Sequence, residues 1–174
     1  MVANILIRPY RDEDHEAVRD LFIRVNRELA PAGLRDRFEA YIELALREEI
    51  DRIGDYYAAA RGSSFSVAVD GGALVANYGL EASGDGIFEL RRMYVDPAHR
   101  RRGLGALLLA HAEDTCRRRG AVKLVLSTSE VQAAALALYK AAGYRLVREV
   151  VATEASNKTV GGGIRRFEFE KTLI

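Results

Sequence analysis

The segment from Ile87 to Leu126 constrains the fold of this chain most. A β-prone run, Ile87 to Val95, is stopped by Asp96-Pro97, and the loop Arg100-Arg101-Arg102-Gly103-Leu104-Gly105-Ala106 then opens a helical pattern. That pattern runs from Gly103 to Arg119, with Leu104, Leu107, Leu108, His111, Ala112 and Thr115 at core-like spacing. Arg117, Arg118 and Arg119 suit the negative end of the helix dipole, and Gly120 supplies a C-terminal stop. Val122 to Leu126 follows as a mostly apolar run of buried-strand type. A strand, a glycine-rich turn, a helix and a strand in that order define a layered α/β unit.

The rest of the chain adds hairpins and helices to that unit. Ile5 to Ile7 is a short strand closed by Pro9, and Asp12 to Leu29 is a helix with Val18, Leu21, Phe22 and Val25 on one face. Pro31 and Gly33 break it, and a second helical pattern runs from Leu34 to about Ala60, with Gly54 as a candidate division. Phe65 to Val69 and Leu74 to Leu80 flank Asp70-Gly71-Gly72, a hairpin turn signal. Val131 to Ala142 is a short helix ended by Gly143, and Tyr144 to Val151 and Ile164 to Thr172 complete the strands. The polar, glycine-rich segment Thr153 to Gly163 joins them. Hairpins mixed with strand-helix-strand units predict a mixed α/β sheet with helices on its faces. The length of 174 residues fits one domain, 1–174.

Charge and composition exclude several functions. Lys and Arg number 26 against 25 Asp and Glu, so no global field favours nucleic acid or an anionic membrane, and a polyanion site must be local. Arginine runs lie at opposite ends of one helix, which argues against a nucleic-acid surface. No apolar run approaches the ~18 residues of a membrane helix, and Met1 to Pro9 lacks the pattern of a secretion signal. The single cysteine, Cys116, makes no internal disulfide and reads as structural, and no Cys/His cluster has metal spacing. The expectation is a cytoplasmic protein without a metal, as a monomer or homodimer.

The local polyanion site is the loop before the long helix. Unpaired N–H groups at a helix start, with the positive end of the dipole, attract an anion. Gly103 and Gly105 carry no side chain that would keep a phosphate from that backbone. Arg100, Arg101 and Arg102 oppose the dipole at ~0.3–1 kcal/mol each, a penalty that a bound pyrophosphate would remove. A solvated basic loop explains the same spacing without a ligand. The dinucleotide fingerprint fails because position 108 is Leu108, and no Gly-Lys-Ser/Thr of a P-loop is present.

Two stretches together identify a family. Glu89-Leu90-Arg91-Arg92-Met93-Tyr94-Val95-Asp96-Pro97 followed by Arg100-x-x-Gly103-x-Gly105 resembles motif A of the GNAT N-acetyltransferases. Gln132-x-x-Ala135-x-x-Leu138-Tyr139-x-x-x-Gly143-Tyr144 is similar to their motif B, in the right order and at the right separation. Weaker similarity to the Camello-like branch extends over Tyr41-Ile42 to Tyr56-Tyr57, Leu126-Ser127-Thr128-Ser129 and Arg165 to Lys171.

The resemblance implies a GNAT-type, mostly antiparallel sheet with about four helices, and acetyl-CoA as cosubstrate. It implies that the backbone of Met93, Tyr94 and Val95 pairs with pantetheine like an added strand. The pyrophosphate would lie on the amides from Arg101 to Ala106, with Gln132 standing where many relatives place a cofactor-contacting Asn. Tyr139 matches the tyrosine proposed to assist the departing CoA thiolate, and Glu89 the carboxylate used as base toward an amine. Each has a plainer reading: Tyr139 as a core aromatic, Glu89 as a salt-bridge partner of Arg91 or Arg92. The function implied is direct acetyl transfer to a primary amine, of a small molecule or a protein, in a ternary complex. A CoA-binding sensor without catalysis is the alternative, and it needs neither Glu89 nor Tyr139. Arg35 to Tyr57 and Thr153 to Gly163 are the expected walls of the acceptor site.

Overall fold

In the computed structural model, which describes residues 4–174, the chain opens with β1 (Ile5–Pro9) and α1 (His15–Leu29). The part of the leader reading that rests on Met1 to Ala3 lies outside the described residues. Helix α1 buries Val18, Leu21, Phe22 and Val25, the face its spacing predicts, and adds the polar Asn26. Next come α2 (Arg35–Glu48) and the single turn α3 (Ile53–Tyr56). The predicted long second helix is therefore interrupted, but at Glu49 rather than Gly54. Glu49 leaves helical geometry with φ −137° and ψ −60°, and its side chain is fully buried against two arginines of the sheet. Satisfying that charge outweighs one more helical hydrogen bond.

The hairpin strands β2 (Ser64–Asp70) and β3 (Ala73–Gly84) flank the Gly71-Gly72 turn, where both glycines have positive φ. After β4 (Ile87–Val95) come α4 (Leu104–Arg118), β5 (Lys123–Ser129) and α5 (Ala133–Ala141). Strands β6 (Arg145–Ala152) and β7 (Ile164–Thr172) finish the chain. They make one seven-stranded sheet in the order β1-β2-β3-β4-β5-β7-β6. Only β4 and β5 run parallel; every other neighbouring pair is antiparallel.

Each face of the sheet has its own core. Phe88, Leu90, Leu124, Leu126 and Phe169 pack against Leu104, Leu108, Leu109, Ala112 and Cys116 of α4 and Tyr139 of α5. The buried stripe of α4 thus sits about one position round from the predicted one. His111 stands at its edge, where its Nδ1 lies 2.7 Å from the Tyr78 hydroxyl. On the opposite face, α1 and α2 pack Phe22, Phe38, Tyr41 and Ile42 against Val160 and Ile164.

Parallel pairing between β4 and β5 covers only Ile87↔Lys123 to Leu90↔Leu126. Beyond Leu90, β4 stays with β3 and β5 stays with β7, so the sheet opens into a wedge. The cause is a β-bulge at Arg92, whose φ is +53°, between the register pairs Gly79↔Arg91 and Asn77↔Tyr94. Buried Asn77 donates from Nδ2 to the Arg92 carbonyl at 2.7 Å and so occupies the group that the bulge turns aside.

Candidate active site

The wedge forms a cleft that passes through the sheet. Tyr139 reaches it from the α4–α5 face, while Glu89, Arg91, Arg92, Lys158 and Arg166 reach it from the α1–α2 face. Met93, Tyr94, Ser127, Thr128 and Gln132 line the opening between the strands. Tyr41 and Phe38 of α2 and residues 158–160 of the last long connection also line it, and both segments belong to the stretches expected to flank an acceptor.

The bulge decides which side chains face the cleft. Simple alternation would send Arg91 and Arg92 to opposite faces. With Arg92 bulged, both reach Glu49, whose oxygens accept from Arg91 Nη2 at 2.7 Å and Arg92 Nε at 2.7 Å. Arg92 Nη2 adds a bond at 3.1 Å and the Tyr57 hydroxyl one at 2.6 Å. Burial works against the Glu49 charge, but the Arg92 and Arg91 guanidiniums more than offset it and hold its carboxyl below the ordinary range. A carboxylate this buried is tolerable only with such partners.

That network removes the plain reading of Glu89. Arg91 and Arg92 are committed to Glu49, with Arg91 also on Glu81 at 2.8 Å, and neither pairs with Glu89. Glu89 Oε2 instead accepts from Lys158 Nζ at 3.0 Å. Its side chain is half-buried rather than buried, keeping 19% of its surface. Tyr139 is both a core aromatic and a cleft residue. Its ring packs edge-on to Tyr144 at 5.9 Å and tilted on Phe169 at 6.3 Å. Among the described residues its hydroxyl has no side-chain partner. Burial, with a smaller push from Tyr94, raises its pKa well above the ordinary 10.

The loop before α4 has the geometry of an anion cradle. Arg101 and Gly103 both take positive φ, +61° and +79°, which turns the chain sharply into the helix. The first bond of that turn runs from Leu107 N–H to the Gly103 carbonyl. Among the described residues, no acceptor takes the N–H groups of residues 101 to 106, which cover Arg101, Arg102, Gly103, Leu104, Gly105 and Ala106. The arginines contribute unequally: Arg100 already pairs with Glu28 of α1 at 2.9 Å, while Arg101 and Arg102 are exposed. Gly105 has a second reason to be glycine, since a Cβ there would stand 3.3 Å from Leu138 on α5. Gln132 caps the approach to α5, its Oε1 accepting from Thr128 Oγ1 at 3.0 Å and Ser129 N at 3.3 Å. Its amide nitrogen has no hydrogen-bond partner among the described residues, and the residue lines the cleft.

Glu49 and Lys158 went unmarked in the sequence. Glu49 lies in Arg47-Glu48-Glu49, which reads as a solvated run, and Lys158 in a polar loop. No local pattern separates either from its exposed neighbours.

A mixed sheet split between its two parallel strands, with helices on both faces, is the N-acetyltransferase architecture. Residues 12–144 match the model of the acetyltransferase (GNAT) family, and the chain belongs to that family. Curated relatives include N-acetylaspartate synthetase of Xenopus tropicalis, 36% identical over 110 residues, which are 62% of this chain and 40% of that protein. N-acetyltransferase 8 of Homo sapiens is 28% identical over 110 residues, 60% of this chain and 48% of its own length. The chain thus spans less than half the length of these relatives. Among solved structures, a GNAT acetyltransferase of Staphylococcus aureus Mu50 superposes with TM-score 0.76 at 18% identity, covering 98% of this chain and 99% of that one. The PaiA N-acetyltransferase of Thermoplasma acidophilum, in complex with coenzyme A, superposes with TM-score 0.73 at 18% identity, covering 97% and 98%. Among the described residues no helix is long and apolar enough to cross a membrane, and no cluster of His, Cys, Asp or Glu could hold a metal.

Proposed function

We propose that residues 1–174 act as one N-acetyltransferase domain that moves the acetyl group of acetyl-CoA to a primary amine by direct attack. The free amides of residues 101–106, beside a strand edge opened by the bulge, carry this reading. A pyrophosphate accepts from those amides, and pantetheine lies along Met93, Tyr94 and Val95 as an added strand edge. The thioester then sits in the wedge between Glu89 and Tyr139, whose lining Gln132 shares.

The acceptor arrives as an ammonium ion and must lose a proton to attack. Glu89 takes it, directly or through a water. Lys158 has to leave Glu89 first, and a half-exposed ion pair of this kind is worth only ~0.2–1 kcal/mol, so its displacement is cheap. The amine nitrogen bonds to the carbonyl carbon, the carbon–sulfur bond breaks, and the electron pair leaves on sulfur. Tyr139 donates a hydrogen bond to that sulfur. Its pKa lies well above that of a thiol, ~8.5, so the proton does not cross before the bond breaks.

Two measurements test this reading. Gly103→Asn and Gly103→Asp both suit a positive φ and differ only in charge. The Asp variant should bind acetyl-CoA at least ~10-fold more weakly than the Asn variant by calorimetry, with equal melting temperatures. Equal affinities would take the pyrophosphate off this loop. Glu89→Gln should lower kcat/KM, with the deficit shrinking as pH rises and free amine accumulates. A deficit that stays constant from about pH 6 to about pH 10 would leave Glu89 a mere partner of Lys158. A protein that binds acetyl-CoA tightly yet releases CoA with no amine would be a sensor.

A further inference from the structure

The cations around the cleft can be matched to their carboxylates one by one. Arg91 has Glu49 and Glu81, Arg92 has Glu49, and Lys158 has Glu89. Arg166 is the exception. It lines the same cleft from β7, and among the described residues no carboxylate stands within ion-pair reach of it. Its one side-chain partner is neutral: Nη2 donates to Ser127 Oγ at 2.8 Å. The nearest acidic neighbour along its strand, Glu168, is taken by Arg148 at 2.8 Å.

Burial makes this isolation costly. Loss of solvent is the leading cause that pushes the Arg166 pKa below its ordinary value; Tyr41, Tyr94 and the more distant Glu168 offset it only in part, and Arg92 adds repulsion. A half-buried guanidinium with no carboxylate in contact is retained only where something compensates it. The Nε–H and Nη1 protons have no partner among the described residues, and the second Nη2 proton completes a planar pair with its neighbour that can match a carboxylate bidentately.

We infer that Arg166 binds a carboxylate on the acceptor, so that the substrate of this acetyltransferase is an amino acid or a similarly compact amino-carboxylate. The inference rests on the transferase reading above, and spacing supports it. Glu89 pairs in register with Val125, whereas the Arg166 guanidinium is anchored at Ser127, two residues further along β5. Val125, Ser127 and the side chains of Glu89 and Arg166 share the α1–α2 face. Two residues of strand rise are about 7 Å. An amine and a carboxylate one or two carbons apart, each with its own hydrogen bond, span that distance, with the amine at Glu89 and the carboxylate at Arg166. The Lys158 side chain leaves Glu89 as the amine enters.

The test compares matched acceptors with wild type, Arg166→Gln and Arg166→Lys, at saturating acetyl-CoA. The probes are the common L-amino acids, their carboxamides, and the amines left on removing the carboxylate. Wild type should prefer the best amino acid over its carboxamide by more than ~100-fold in kcat/KM, expressed mainly in KM. In Arg166→Gln that ratio should fall below about 5, while Arg166→Lys should keep part of it. Melting temperatures should change by no more than about 2 °C in Arg166→Gln, because the guanidinium has one hydrogen bond to Ser127 and no ion pair to lose. Amides acetylated as well as acids by wild type, or a ratio unchanged in Arg166→Gln, would overturn the assignment. Glycine against aminomethylphosphonate separates the two oxyanions, and a preference for the phosphonate would replace the carboxylate by a phosphate-type group. If no amine releases CoA although acetyl-CoA binds, the transferase reading fails on its own. Calorimetry with the amino acids then decides for Arg166: binding to wild type but not to Arg166→Gln sustains the carboxylate site, and binding to neither removes it.

Discussion

Tyr139→Phe should lower kcat by ~10²–10⁴ while leaving the fold intact. Phenylalanine keeps the ring that packs on Tyr144 and Phe169, so the core between α5 and the sheet is preserved. Only the hydroxyl is lost, and it has no side-chain partner among the described residues, so melting temperatures should agree. Charge builds on sulfur as the carbon–sulfur bond stretches, and the hydroxyl stabilises it at that moment. KM for either substrate should therefore change little. The raised phenol pKa sharpens the expectation. An acid that holds its proton tightly helps by hydrogen bonding rather than by early transfer, so a more acidic thiol leaving group should need it less. Steady-state kinetics at saturating amine, with a thioester of an acidic thiol alongside acetyl-CoA, measures both effects. Matching melts with a kcat loss of less than about threefold would leave Tyr139 as packing alone, far short of a positioned acid.

Glu49→Gln should destabilise the protein by about 3–5 kcal/mol, because it leaves Arg91 and Arg92 buried without their shared counter-charge. For a chain of this length that is roughly 6–20 °C in Tm. It is also a large part of a typical total stability of about 5–15 kcal/mol. The penalty has a defined pH dependence. Glu49 has a folded pKa below its ordinary 4.5, so its contribution is present above that value and is lost as pH falls through the folded one. Thermal melts of wild type and variant should thus differ most near neutrality and converge in acid. Since Arg92 is also the bulge residue that parts β4 from β5, the variant should bind acetyl-CoA more weakly at temperatures where it is still folded. A Tm within about 2 °C of wild type at neutral pH would show that the triad does not hold the bulge.

Much of the site was legible in the residues. The strand Ile87–Val95 has the bounds its composition suggests, and α4 and α5 lie within a residue or two of their predicted ends. Gly103 to Ala106 does open a helix with free amides, and Tyr139 and Glu89 meet in one cleft. The apolar period of the second helix continues past Glu49 and predicts one long helix, while the break depends on charge partners some 40 positions away, Arg91 and Arg92. For Glu89 the sequence offers Arg91 and Arg92, the nearest cations along the chain, as ion-pair partners. The structure gives it Lys158 instead, since the bulge carries both arginines to Glu49.

The sequence by itself determined the layered α/β class, the order of elements and the glycine-bearing start of α4, and two of its motifs carried the resemblance to the family. The class, the order and the helix start depend on local periodicity, turn chemistry and short-range spacing, which a linear reading contains. Only the tertiary structure decided where the sheet opens, which of 26 cations and 25 acids pair, and that Arg166, lining the cleft, has no carboxylate within ion-pair reach among the described residues. Those outcomes turn on one residue leaving the strand alternation and on contacts between elements far apart in the chain. Burial and charge compensation are properties of that assembled neighbourhood, and no residue carries them alone.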